Sequence, residues 1–300
     1  MTKTGCTQMP KTGSAVKVLF GVGLLALGTS GMTGAAELQP ATVSAWNDYV
    51  RAADSRLQAR ADGSRPFLWV DEAPGRTARL QLGEVLIAPV VGHGSKSVPG
   101  GLIHDWVGAV FIPGANIDAL LDTVHDYSRY RDIYRPAVTD SRVLACRGPD
   151  QKFSMVWTKH ILFVDAAVEG EYDARDTLLE SGRGYSVART ARMREIEDYG
   201  KIGERYLPPG QGNGFLWSIE SIARFEARDG GVYLELEAIA LTRDIPFSLR
   251  PLVNPIVNRL SVSSLTTTLL QTRDAVRTRL AQPEEAVTCA PNRHGTRRGD

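Results

Sequence analysis

Between Gly214 and Leu280 the hydrophobic positions change period, from two to about three and a half. The run GFLWSIESIARFEARDGGVYLELEAIALTRDIP alternates apolar and polar residues on both sides of Asp229-Gly230-Gly231, which has the composition of a tight hairpin turn. A long amphipathic helix is predicted after it. Its first apolar stripe is Leu249, Leu252, Val253, Ile256, Val257 and Leu260, with Pro251 and Pro255 placed to start or bend that part. The stripe pauses at Ser261, Ser263 and Ser264 and resumes at Leu265, Leu269, Thr272, Val276 and Leu280. A kink near Arg259 to Ser264 is expected, with movement in Phe247 to Leu260 if a ligand enters there. An antiparallel sheet that ends in such a helix can wrap around it and hold an apolar molecule between the two.

Upstream, Val43, Trp46, Tyr49 or Val50, Ala53 and Leu57 recur at helical spacing, so Ala41 to Arg60 is predicted to be a helix, broken at Asp62-Gly63. Arg79 to Val91 reads as a strand, and Leu102 to Ile112 as a second strand able to pair with it. After Pro113-Gly114, Ile117, Leu120, Leu121, Val124 and Tyr127 predict two short helices. Strands follow at Thr139 to Cys146, Lys152 to Thr158, His160 to Tyr172 and Arg183 to Ile196. Turns are expected at Gly148-Pro149-Asp150, Asp173 to Asp176 and Ser181-Gly182, and a Gly- and Pro-rich loop over Glu197 to Asn213.

The N-terminus adds an address. Lys3, Lys11 and Lys17 precede the apolar run Val18 to Leu27, and small residues lead to Ala35-Ala36, the layout of a secretory leader cleaved after Ala36. An uncleaved anchor is the alternative. Loss of residues 1–36 removes three lysines and no acid, moving the formal charge from +1 to −2. That near-neutral balance argues against a nucleic-acid surface. Periplasmic or secreted localisation is expected, and Cys146 and Cys289 are the pair left to form a disulfide there. The tail 281–300, rich in Pro, Arg and Gly, reads as disordered.

The order strand, two short helices, strands and long C-terminal helix resembles the helix-grip fold of the START/SRPBCC superfamily, also called polyketide cyclase/lipid-transport-like. The stretches GLIHDWVGAVFIPG (101–114), GFLWSIESIARFE (214–226) and LTRDIP (241–246) carry the resemblance to an exported bacterial branch. The implied fold is α+β: a curved antiparallel sheet wrapped around the C-terminal helix, with an extra N-terminal helix. The implied domains are a leader (1–36), an N-terminal helix and strand extension (37–100), the helix-grip domain (101–280) and the tail (281–300). The resemblance further implies a cavity between sheet and helix.

Strand parity selects the residues that face such a cavity. Val232, Leu234, Leu236, Ala238 and Ala240 share one face, as do Phe215, Trp217, Ile219, Ser221 and Ala223, and Phe153, Met155 and Trp157. Leu162, Val164, Ala166 and Val168 share another, which Tyr172 continues. In Arg183 to Ile196 the apolar face, Tyr185, Val187, Ala191 and Met193, also carries Arg189. A cation facing inward needs a carboxylate or a ligand's polar head, unless a bulge shifts the register or water reaches it. The ligand-binding candidates are therefore Trp106, Met155, Trp157, Tyr172, Arg189, Met193, Trp217, Leu236 and Ile256.

His104, in phase with Trp106, reads first as a satisfied structural histidine, and His160 likewise. Asp122, His125 and Asp126, one helical turn apart, read as a solvated face rather than a metal site. No HExxH, GxSxG, Walker A or GxGxxG motif occurs, so no catalytic residue, cofactor or metal is assigned. The leading expectation is an exported protein holding a hydrophobic small molecule or lipid, with peripheral membrane contact allowed and oligomeric state open. A cyclase- or dehydratase-type enzyme using Arg189, His104 or Tyr172 is one alternative. An envelope interaction module without a ligand is another.

Overall fold

The computed structural model describes residues 36–161, 164–180, 182–244 and 250–282. The leader, most of the tail and Cys289 lie outside them; Cys146 is disulfide-bonded. The described residues form one compact unit, so the 37–100 extension folds with the sheet. No helix among the described residues is long and apolar enough to cross a membrane.

A two-residue strand, β1 (Ala36–Glu37), leads into α1 (Pro40–Ala61), which Pro40 opens at a position where its missing N–H costs nothing. A 3-10 turn (Trp69–Glu72) and α2 (Arg76–Gln81) follow, then β2 (Leu86–Pro89) and β3 (Ser95–Val98). The strand expected over Arg79 to Val91 is thus mostly helix and turn, with only β2 paired to the long β4 (Gly101–Pro113). Next come α3 (Ile117–Val124), capped by the Asn116 side chain on the Ala119 N–H (2.8 Å), and α4 (Tyr130–Ile133).

The remaining strands are β5 (Val138–Arg147), β6 (Asp150–Ile161), β7 (Val164–Leu179), β8 (Arg183–Glu197), the short β9 (Arg205–Tyr206) and β10 (Gln211–Gly212), β11 (Ser218–Arg228) and β12 (Gly231–Arg243). The turn expected at Asp173 to Asp176 is instead the interior of β7, and His160 ends β6 rather than opening the next strand. Asp229 and Gly230 both take positive φ, as a two-residue hairpin loop between β11 and β12 requires. The chain then enters α5 (Arg250–Ala281), assigned as one helix with Pro255 inside it; no helical break interrupts the expected kink region.

The main sheet is ten-stranded and antiparallel, in the order β2-β4-β12-β11-β8-β7-β6-β5, with β3 also on β4 and β9 on β8. Its curl follows from two neighbouring residues of α5. Leu265 lies against Gly108 of β4, whereas Ser264 accepts a hydrogen bond from Lys159 Nζ of β6 (2.9 Å). Those strands are five strand spacings apart, about 24 Å in a flat sheet. One helix touches both because the sheet wraps around it. Gly108 is needed at the seat: a Cβ there would lie 2.5 Å from Ile87 and 2.7 Å from Leu269. This is the helix-grip architecture.

Its convex face is covered by the extension. Trp46, Tyr49, Ala53 and Leu57 of α1 pack on Ile103, Val187, Ile222, Ile239 and Leu241, while Phe67, Leu68, Val70 and Leu80 pack on Ala109, Phe111 and Tyr233.

Candidate functional site

The concave face carries two separate apolar clusters. At the β4 side, Trp106, Val110, Ile112, Val232 and Leu234 meet Leu265, Leu269 and Val276 of α5, with Leu236 half-buried beside them. At the far side, Phe153, Met155, Val168, Tyr172 and Met193 meet Tyr127 and Tyr134, with Trp157 against them. Tyr127 stacks on Phe153 at 4.1 Å between centroids, and Phe153 on Tyr172 at 5.1 Å. Trp157 Nε1 donates to the Tyr172 hydroxyl (3.0 Å), and burial pushes that phenol well above its ordinary pKa, so it stays neutral. Gly170 lets the Tyr172 ring fold back over β7, since a Cβ there would lie 2.2 Å from its hydroxyl.

Between the clusters the concave face is lined by small side chains that remain only half-buried: Ser186, Ala188, Ser221, Ala223, Ala238 and Ala240. Their neighbours on the convex face, Val187, Ile222, Glu237 and Ile239, are buried. The helix above shows the same pattern, with Ile256, Val257 and Leu260 half-buried and Leu265 and Leu269 buried. Ile256 and Leu265 are nine residues apart, about half a turn round the helix, so the first apolar stripe is not the one that seats α5. Between the clusters the inner face is therefore a partly open strip of alanine and serine, and the hydrophobic core proper lies on either side of it.

Two candidates fall elsewhere. A bulge in β8 between the pairs Glu171↔Arg192 and Tyr172↔Thr190 inserts Ala191, so Arg189 and Met193 face opposite sides of the sheet. Met193 is inward. Arg189 is convex, with its Nε on Glu220 (2.8 Å) and its guanidinium on Asp54 of α1. Trp217 precedes β11 and packs in the cluster under α1. Arg189 therefore cannot join His104 and Tyr172, which are themselves four strand spacings apart.

His104 does share the concave register, opposite Ala240, and donates or accepts at Thr242 Oγ1 (3.1 Å). Burial lowers its pKa to about 4, so it is neutral near pH 7. The helical trio is not a solvated face: Asp126 is buried on Arg279 (3.2 Å) and His125 lies 2.8 Å from Asp176. His160 is exposed on Asp165.

Glu235 and Glu237, out of phase with Leu234 and Leu236, face outward, and α1 and the 3-10 turn seal that face. Arg224 donates to Glu235 (3.2 Å) and Glu237 (3.0 Å), and Arg56 of α1 donates to Glu237 (3.0 Å) and Asp105 (3.1 Å). Tyr49 donates to Asp105 (2.7 Å), and the Trp69 and Val70 N–H groups donate to Glu235. Burial, with the charge of Glu237, pushes Asp105 up to about 7. Burial raises Glu237 too, but Arg224 and Arg56 outweigh it and hold that carboxyl below its ordinary value.

No protein-family model matches the sequence, and no curated protein matches it. Solved structures do. An aromatase/cyclase from Streptomyces sp. R1128 aligns at 11% identity and TM-score 0.42, covering 60% of this chain and 98% of its own. A STAR-related lipid transfer protein from Xanthomonas axonopodis aligns at 16% and 0.41, covering 61% and 99%. Human STARD10 aligns at 9% and 0.40, covering 69% and 82%. The fold is START/SRPBCC-like. That statement rests on the strand order and on the helix held in the curl of the sheet, and it extends to architecture alone. The helix-grip core supplies the partly open strip; the extension, outside the resemblance, supplies the convex cover.

Proposed function

We propose that this protein is an exported carrier or receptor that binds a hydrophobic small molecule or lipid non-covalently in a hollow between the concave sheet face and α5. The observation that carries the proposal is the inversion of burial in the middle of the sheet: small residues on the inner face are half-buried while Val187, Ile222, Glu237 and Ile239 behind them are buried. Removal of ligand and wall from water would contribute about 25 cal/mol per Å² of apolar surface. Met155, Trp157, Tyr172 and Met193 would bound one end, Trp106 and Leu236 the other. The lysine-flanked leader supports export, and a disulfide at Cys146 fits an oxidising compartment. The convex placement of Arg189 takes away the cation on which an enzymatic reading leaned.

Native mass spectrometry of the purified protein after incubation with a lipid extract tests the reading. A lipophilic adduct retained by the wild type and lost in Ala188→Trp and Ser221→Trp, which fill the hollow from its floor, is the expected result. Failure to retain any adduct, or equal retention by both folded variants, would refute it.

A further inference from the structure

A second concavity lies on the other side of the sheet, between α1 and the arm formed by β2 and β3. It is an open cleft of about 630 Å³, within the range of about 300–1,000 Å³ usual for small-molecule sites. Positions 45, 49, 52 and 56 recur at helical spacing and present one face of α1 to it. Alanine at 45 and 52 leaves the room, and Val91 and Val98 of the arm make the opposite wall.

Two cations lie near the Tyr49 ring: the Arg56 guanidinium is 5.7 Å and the Lys96 ammonium 5.4 Å from its centroid. Arg56 serves Asp105 and Glu237 with Nη2 alone, so its Nε and Nη1 have no hydrogen-bond acceptor among the described residues. Lys96 is exposed and forms no ion pair among those residues. The remaining donors of Arg56 and the Lys96 ammonium thus border a cleft whose own acid, Asp48, is held by Arg51.

We propose that this cleft is a second, separate binding site, for a carboxylate carrying a short apolar chain. The carboxylate lies between Lys96 and Arg56, and the apolar part lies against Ala52, Val91 and Val98. The site is independent of the hollow under α5.

Isothermal titration calorimetry of the full chain with decanoate, and with 1-decanol as its uncharged counterpart, tests the assignment. Decanoate should bind more tightly than 1-decanol and weaken about two- to fivefold in Lys96→Gln. It should weaken further when salt rises from 0.15 to 0.5 M. Ala52→Trp, which fills the cleft from an exposed position, should abolish it. Absence of decanoate binding overturns the proposal, as does an affinity that survives Ala52→Trp or is indifferent to Lys96→Gln and salt. Loss in Ala188→Trp but not in Ala52→Trp would move the anion to the hollow and equally overturn it. Lys96 is exposed, so its variant keeps the test decidable if the tryptophan variant does not fold.

Discussion

At the scale of single residues, the ionic cluster beneath α1 has the largest energetic leverage. Arg224 has a side chain 2% exposed and is held by two carboxylates that are themselves buried. Such a group is costly to desolvate, yet removing it alone strands its partners in a medium that solvates them poorly. Arg224→Leu should therefore lower unfolding free energy by about 3–5 kcal/mol, read as a shift of the urea midpoint. A shift below about 1 kcal/mol would mean that water reaches Glu235 and Glu237. The residue scale is also where parity failed: one inserted residue, Ala191, puts Arg189 and Met193 on opposite faces, and nothing in their alternation marks the insertion.

At the scale of elements, α5 is one helix with two different jobs. Leu265, Leu269, Thr272 and Val276 are buried and seat it on the sheet, while Ile256, Val257 and Leu260 are half-buried over the proposed hollow. Ile256, Val257 and Leu260 have less buried apolar surface to lose on opening, so the amides around them should exchange with deuterium faster than those of Leu265 to Leu280. A bound ligand should slow that exchange. Uniform protection along the helix would argue against the proposed entry route there. α1 has a complementary role: its residues Tyr49 and Arg56 close the ionic cluster from above and form one wall of the cleft.

At the scale of the molecule, proton binding couples both faces to stability. The folded state keeps a proton on Asp105 up to about pH 7, whereas an ordinary aspartate releases it near 3.8. The stability this contributes is present at low pH and lost as pH rises through 7. His104 acts oppositely: its folded pKa is about 4 against an ordinary 6.5, so its contribution is present above 6.5 and lost as pH falls through 4. The wild type should thus be flatter between pH 4.5 and 7 than either variant. Asp105→Asn should lose stability more steeply on acidification, and His104→Gln more steeply as pH rises. Urea midpoints at four pH values check this; parallel curves would reject it.

Much of the architecture was legible in the chain. The Asp229-Gly230 hairpin, the period-2 faces of β12 and β6, the two short helices after β4 and the long final helix all follow from local chemistry, because turn residues and side-chain period act over a few positions. The concave placement of Met155, Trp157, Tyr172 and Leu236 followed from the same rule. Other features were settled by contacts far apart in sequence. Arg79 to Gln81 became helical where a strand was expected, and β7 ran straight through an expected turn because β6 and β8 pair with it on both sides. The alternation in β11 and β12 determines that Arg224, Glu235 and Glu237 share the face opposite Leu234 and Leu236. Only the tertiary structure decides that this polar face is buried and the apolar one half-open, because burial depends on what packs against a face: α1 seals one side, and α5 spans the other.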